Sequence, residues 1–134
     1  MRGACILPAQ VPGLSDNIRV RSLIGRFLEH LRVFYYRCGE REQLYLSSAD
    51  WMNRNMLRRV EIAWPVTDPS LRQRIVDECL VASLHDDRDA WTLQGDGRYV
   101  RANLPGQGTG TQDALMARYD PAAQPRVRRV AQAD

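Results

Sequence analysis

The chain has 134 residues, of which 44% are hydrophobic, enough for one ordinary core and no second. A formal net charge of +3 is too mild to point to nucleic acid as a partner. No run approaches the ~18 apolar residues of a membrane span, and the opening Met1-Arg2-Gly3-Ala4-Cys5-Ile6-Leu7-Pro8 is too short and too soon broken for a signal peptide, so the expected location is cytoplasmic, with peripheral contact at the inner membrane as the alternative.

In chain order, residues 3–7 are apolar and read as a strand that lacks its N-terminal half. Two prolines, Gly13 and Ser15 make 8–17 a loop, and the alternation that follows predicts a strand over 18–23. Phe27, Leu28 and Leu31 stand at helical spacing, which predicts a short helix over 25–31. Residues 32–36 and 43–47 are β-rich and joined by a polar connection containing Gly39, the pattern of a hairpin. Val60, Ile62 and Trp64 alternate with Glu61 and Ala63, which predicts a strand over 60–64.

Asp68-Pro69 then offers an N-cap and a first-turn proline to a helix over 69–84, whose apolar positions include Leu71, Ile75, Cys79 and Leu80. Residues 90–93 and 98–101 flank Gln94-Gly95-Asp96-Gly97 as a second hairpin; a glycine-rich loop and a helix over 112–119 follow. The segment 120–134, with Arg126, Arg128 and Arg129, is a basic tail with too little apolar content to hold a fold. These elements predict one α/β domain over 1–119, a mixed sheet flanked by helices and partly covered by the 69–84 helix.

Two compositional facts bear on chemistry. Cys5, Cys38 and Cys79 are odd in number and lack C-x-x-C spacing, so they signal neither a disulfide framework nor a zinc site. All 19 cations are arginine, a planar fork of donors that grips phosphate oxygens in bidentate fashion, although coding bias in a GC-rich genome gives the same composition.

The most informative stretch is His30-Leu31-Arg32, followed by Leu46-Ser47-Ser48-Ala49-Asp50-Trp51. It resembles the half-site of the phospholipase D superfamily, His-x-Lys, four residues, Asp, then Gly-Ser-x-Asn. His30 matches the histidine, Arg32 stands for the lysine, Ser48 for the serine and Asp50 for the asparagine, while Arg37 occupies the place of the aspartate. Such a set suits phosphorus chemistry, because a histidine moves a proton near neutral pH while arginine and hydroxyl donors stabilise phosphoryl oxygens.

A longer resemblance surrounds it. Arg2-Gly3-Ala4-Cys5, Val11-Pro12-Gly13-Leu14-Ser15-Asp16-Asn17-Ile18, Gly25-Arg26-Phe27-Leu28-Glu29-His30, Arg59-Val60-Glu61 and Asp68-Pro69-Ser70-Leu71-Arg72 are similar, in order and spacing, to the last domain of the first family of polyphosphate kinases. The likeness runs over roughly residues 2 to 119. It implies a phospholipase D-like α/β domain that helps transfer the terminal phosphate of ATP reversibly to polyphosphate, with Mg2+. It also implies that the phosphorylated histidine lies in a preceding domain absent from this chain, that the complete enzyme is a homo-oligomer, and that this chain alone is nearly inert.

Carried over residue by residue, the resemblance implies that His30 is catalytic, transferring a proton or touching the nucleotide phosphates. Arg2 becomes an ATP/phosphate ligand, with Arg32, Ser48 and Asp50 beside it. The family's adenine contacts fall outside the chain, so binding of ATP or ADP is expected through phosphates. Departures are Pro8-Ala9-Gln10 for a proline-glycine loop, Leu31 for a serine, and Arg37-Cys38-Gly39 for an asparagine-diglycine turn.

Other readings compete. A phospholipase D-type phosphodiesterase or nuclease completing its site by dimerisation would also use His30, Ser48 and Asp50, against the absent lysine and aspartate. A non-catalytic polyanion-binding module would need only the arginines. Tyr35, Tyr36 and Tyr45 read as cross-strand packing ahead of base stacking. Arg54, Arg58 and Arg59 form either a second phosphate patch or ion pairs with Glu61 and Asp50. His85 reads as a helix-end residue ahead of a metal ligand.

Overall fold

The computed structural model describes residues 5, 7–104 and 106–122. Arg2, most of the 3–7 strand and most of the 120–134 tail therefore lie outside the described residues.

Among the described residues six strands form two antiparallel three-stranded sheets rather than the single mixed sheet of the sequence reading, and the α/β class itself stands. The first sheet has the order β1 (Arg21–Leu23), β5 (Ala90–Leu93), β6 (Tyr99–Arg101); the second has β2 (Val33–Cys38), β3 (Arg41–Ser47), β4 (Ala63–Pro65). In the first, Ala90 and Leu93 of the central strand are buried, and Leu93 packs with Ala9 and Val20 against Cys5 and Tyr99. In the second, Leu44 of the central strand is 2% exposed. Both hairpins form as expected, with Gly39 turning β2 into β3 at φ +61, a conformation that glycine adopts without a Cβ penalty.

The 8–17 loop carries the departure noted at Gln10. Its φ is +58, in the left-handed region that favours glycine. A non-glycine residue there costs roughly 1 kcal/mol, and here the side chain offsets it by donating to Leu93 O at 3.2 Å while its N–H reaches Ser15 O at 3.2 Å.

The helical run from 69 to 85 begins as the sequence indicates. The Asp68 side chain accepts from Leu71 N–H at 2.8 Å and from the Ser70 hydroxyl at 2.6 Å, with Pro69 in the first turn. It runs without a break through α2 (Pro69–Ile75), a π-helical segment (Val76–Val81) and α3 (Ala82–His85). The last helix, α4 (Thr111–Tyr119), starts one residue earlier than expected.

Three expectations need correction. Residues 25–31 are irregular and not helical: Phe27, Leu28 and Leu31 stay more than half exposed, so no apolar face is buried to stabilise a short helix. Strand formation begins at Arg21 and not at 18, because β1 exists only where it finds β5 as a partner. The predicted 60–64 strand is β4 shifted to Ala63–Pro65, leaving Val60 98% exposed, and a helix that was not predicted, α1 (Asn53–Arg58), precedes it. That helix has neither a side-chain N-cap bond nor an acidic first turn, the two signals that would have marked it.

Candidate functional site

The stretch before β2 supplies His30 and Arg32, and the chain leaving β3 supplies Ser48 and Asp50. Antiparallel pairing of these strands sets Val33 opposite Leu46, so the two segments emerge side by side at the same sheet end. Ser47 N–H donates to Arg32 O at 3.0 Å, fastening one to the other. The sequence separation of 18 between Arg32 and Asp50 is thereby closed to a hydrogen bond of 2.9 Å from Arg32 Nε to Asp50 Oδ1.

His30 Nε2 meets Arg32 Nη2 and also lies 3.7 Å from Asp50 Oδ1. An arginine only donates, so in that contact Nε2 is the acceptor, whereas the Asp50 carboxylate only accepts. The ring nitrogen thus stands between a fixed donor and a fixed acceptor. The His30 side chain is 49% exposed, against 20% for Arg32 and 21% for Asp50. The histidine faces outward on a braced arginine–carboxylate pair, an arrangement able to exchange a proton with, or donate to, an arriving phosphate.

Ser48 behaves differently. Its hydroxyl donates to Glu61 Oε2 at 2.5 Å and accepts from Ile62 N–H at 3.1 Å, while its backbone N–H donates to Ile62 O at 3.0 Å. Glu61 also accepts from Asn55 Nδ2 at 2.7 Å, and Arg59 Nε stands 3.7 Å from its Oε1. The Ser48 hydroxyl, then Asn55, with the charges of Arg59 and Arg32, hold the Glu61 carboxyl below the usual carboxylate range. Asn55, 3% exposed, anchors α1 to this carboxylate.

Of the sequence candidates, His30, Arg32 and Asp50 form one cluster and Ser48 joins a second, built on Glu61; the field of Arg32 at Glu61 links the two. Arg59 takes the ion-pair alternative. Glu61 and Asn55 were missed as site residues, and no spacing signal would have found them, because their grouping depends on where α1 lies. A cavity of about 400 Å³ opens beside this second group, lined by Ala49, Trp51, Asn55, Arg59 and Glu61 among others. Tyr36 and Tyr45 meet edge to face with ring centroids 6.4 Å apart, as the packing reading expects. His85 Nδ1 lies 2.9 Å from Val81 O, the local helix-end contact.

Among the described residues no three His, Cys, Asp or Glu side chains converge. Asp50 is engaged by Arg32, and Glu61 by Ser48 and Asn55, so these carboxylates do not fit a magnesium ion held by the protein. Nor is any described helix long and apolar enough to cross a membrane.

Fold and site together define an α/β, phospholipase D-like domain in which a half-exposed histidine stands beside an arginine–carboxylate pair. Residues 1–112 match the family model "Polyphosphate kinase C-terminal domain 2", and the chain belongs to that family. It is 47% identical over 119 residues to a polyphosphate kinase of Burkholderia vietnamiensis and 49% identical over 119 residues to one of Paraburkholderia phytofirmans; each alignment covers 89% of this chain and 17% of the relative. The crystal structure of polyphosphate kinase from Porphyromonas gingivalis superposes with a TM-score of 0.71 at 36% identity, covering 81% of this chain and 17% of that one. The chain thus spans about one sixth of the length of the kinases it resembles (17%).

Proposed function

We propose that this domain supplies the second half of a polyphosphate kinase active site. In this reading a histidine in a preceding, homologous domain attacks the terminal phosphorus of ATP. The new N–P bond forms as the bridging O–P bond breaks and ADP departs. A terminal oxygen of polyphosphate then attacks the same phosphorus, forming an O–P bond and releasing the histidine. His30 faces that phosphorus across the shared site and handles the proton or the equatorial oxygens. Arg2 and Arg32 are phosphate ligands, and Ser48 and Asp50 hold the site in shape. Magnesium enters on the nucleotide's phosphates, since the domain's carboxylates are already engaged.

The observation that carries the reading is the open placement of His30 on the Arg32–Asp50 pair in a member of this family. Exposed apolar side chains in 51–62 add support: Trp51, Leu57, Val60 and Ile62 are each more than 60% exposed, which suits cover by the rest of a larger enzyme. Cytoplasmic location and an oligomeric whole belong to the same proposal.

The test is titration of the chain with polyphosphate and with Mg-ATP by calorimetry. Arg2→Ala and His30→Ala should each weaken binding about tenfold, the worth of one charge-assisted hydrogen bond. Binding indifferent to both substitutions would sink the reading. Polyphosphate synthesis by this chain alone should be undetectable, because a lost covalent partner removes several orders of magnitude of rate; measurable turnover would contradict the assignment of the phosphohistidine to another domain.

A further inference from the structure

The backbone just before His30 belongs to no helix or strand, yet it is held at one point by a residue more than eighty positions away. Gln112, in the first turn of α4, accepts from Phe27 N–H through Oε1 at 2.8 Å and donates through Nε2 to Phe27 O at 2.8 Å and to Glu29 Oε1 at 2.7 Å. One carboxamide thus satisfies both main-chain groups of Phe27, the groups that a local helix would have used, and fixes the side chain adjacent to His30. The chain also approaches closely at Gly25, where an added Cβ would stand 2.5 Å from Gln112 Oε1.

The helix that carries Gln112 is itself anchored. Thr111 N–H donates to Asp86 Oδ2 at 2.7 Å and its hydroxyl to Ala82 O at 2.8 Å; Arg88 pairs with Asp113 at 2.7 Å, and Arg118 with Glu78 at 3.3 Å. Asp50 and Arg32 hold His30 from its C-terminal side; on the upstream side Ile24 N–H donates to Asp89 O at 3.0 Å, and Gln112, gripping Phe27 and Glu29, is the anchor nearer the histidine.

We propose that Gln112 is the positioning residue for His30, transmitting the fixed location of α4 to the imidazole. The geometry does not depend on what His30 does; only the consequence for phosphate binding rests on the function proposed above.

The test uses the full 134-residue chain in two variants that break the clamp from opposite sides. Gln112→Ala deletes the carboxamide. Gly25→Ala pushes away the far end of a flexible side chain, at a glycine whose φ is not positive, and leaves α4 intact should the first variant fold poorly. In each, Phe27 amide exchange should accelerate about tenfold, the worth of one hydrogen bond, and the His30 ring resonances should shift and broaden while signals from β3 stay in place. If polyphosphate binding falls in His30→Ala, Gln112→Ala should weaken it severalfold alone and not at all in the His30→Ala background.

Unmoved His30 resonances and unchanged Phe27 exchange in folded Gly25→Ala protein would overturn the proposal, as would additive losses of binding in the double variant. If His30→Ala leaves polyphosphate binding untouched while both clamp variants still move the ring, the phosphate role fails and the positioning role stands.

Discussion

The two segments that build the site, 24–32 and 46–62, are held by different means. The second is interlocked by its own parts: β3 and β4 pair, Ser48 exchanges three hydrogen bonds with 61–62, and Asn55 closes α1 onto Glu61. The first has no regular structure before β2, leaves Phe27, Leu28 and Leu31 exposed, and is held by contacts borrowed from elsewhere: Asp89 at Ile24, Gln112 at Phe27, and Ser47 and Asp50 at Arg32. A scaffold that satisfies its own polar groups can be rigid without help. A segment positioned by borrowed contacts leaves its histidine open, and any change in the elements that lend those contacts reaches the histidine.

The sharpest way to break this contrast is to release α4. Asp86, 2% exposed, accepts from Arg88 N–H at 3.1 Å, Asp89 N–H at 2.7 Å and Thr111 N–H at 2.7 Å. Asp86→Ala leaves those donors unmatched and should cost about 3 kcal/mol or more, read as a lowered denaturation midpoint. In the folded population the His30 segment should loosen while the Ser48–Glu61 group persists.

Leu44→Ala attacks the other side, within β3, the strand that ends at Ser47 and leads into Ser48. A fully enclosed leucine reduced to alanine costs about 2–3 kcal/mol at a site that partly collapses. Chemical denaturation should show that loss without a change in Phe27 amide exchange measured below the transition.

The smallest effect is the most specific. Glu61 has a depressed carboxyl pKa in the folded chain, caused first by Ser48 and then by Asn55. Its stabilising contribution is therefore full above the ordinary carboxylate pKa and lost as pH falls through the lower folded value, since in that window the unfolded chain binds the extra proton. Glu61→Gln should flatten the slope of stability against pH below about 4.5. An unchanged slope would mean that the Ser48–Glu61–Asn55 group contributes nothing to holding 46–62.

Local signals settled a good part of this molecule in advance. Gly39 with flanking β-branched and aromatic residues marked the first hairpin, Gln94-Gly95-Asp96-Gly97 the second, and Asp68-Pro69 the start of the long helical run; in each the deciding interaction lies within a few residues of the signal. The His30, Arg32 and Asp50 grouping was legible through the phospholipase D-like motif, because pairing of adjacent strands brings its halves together. The short helix over 25–31 and the undivided sheet failed for one reason: periodicity reports a face that could be buried, and not whether a partner arrives to bury it.

By itself, then, the sequence determined the hairpins, the long helix, the family and the histidine, since each is written in neighbouring residues or in an ordered series of blocks. Only the tertiary structure decided that the strands divide into two sheets, that Ser48 serves Glu61, and that Gln112 reaches Phe27. Those contacts join residues 13 and 85 positions apart, and no local pattern encodes which distant donor will fill an open backbone acceptor.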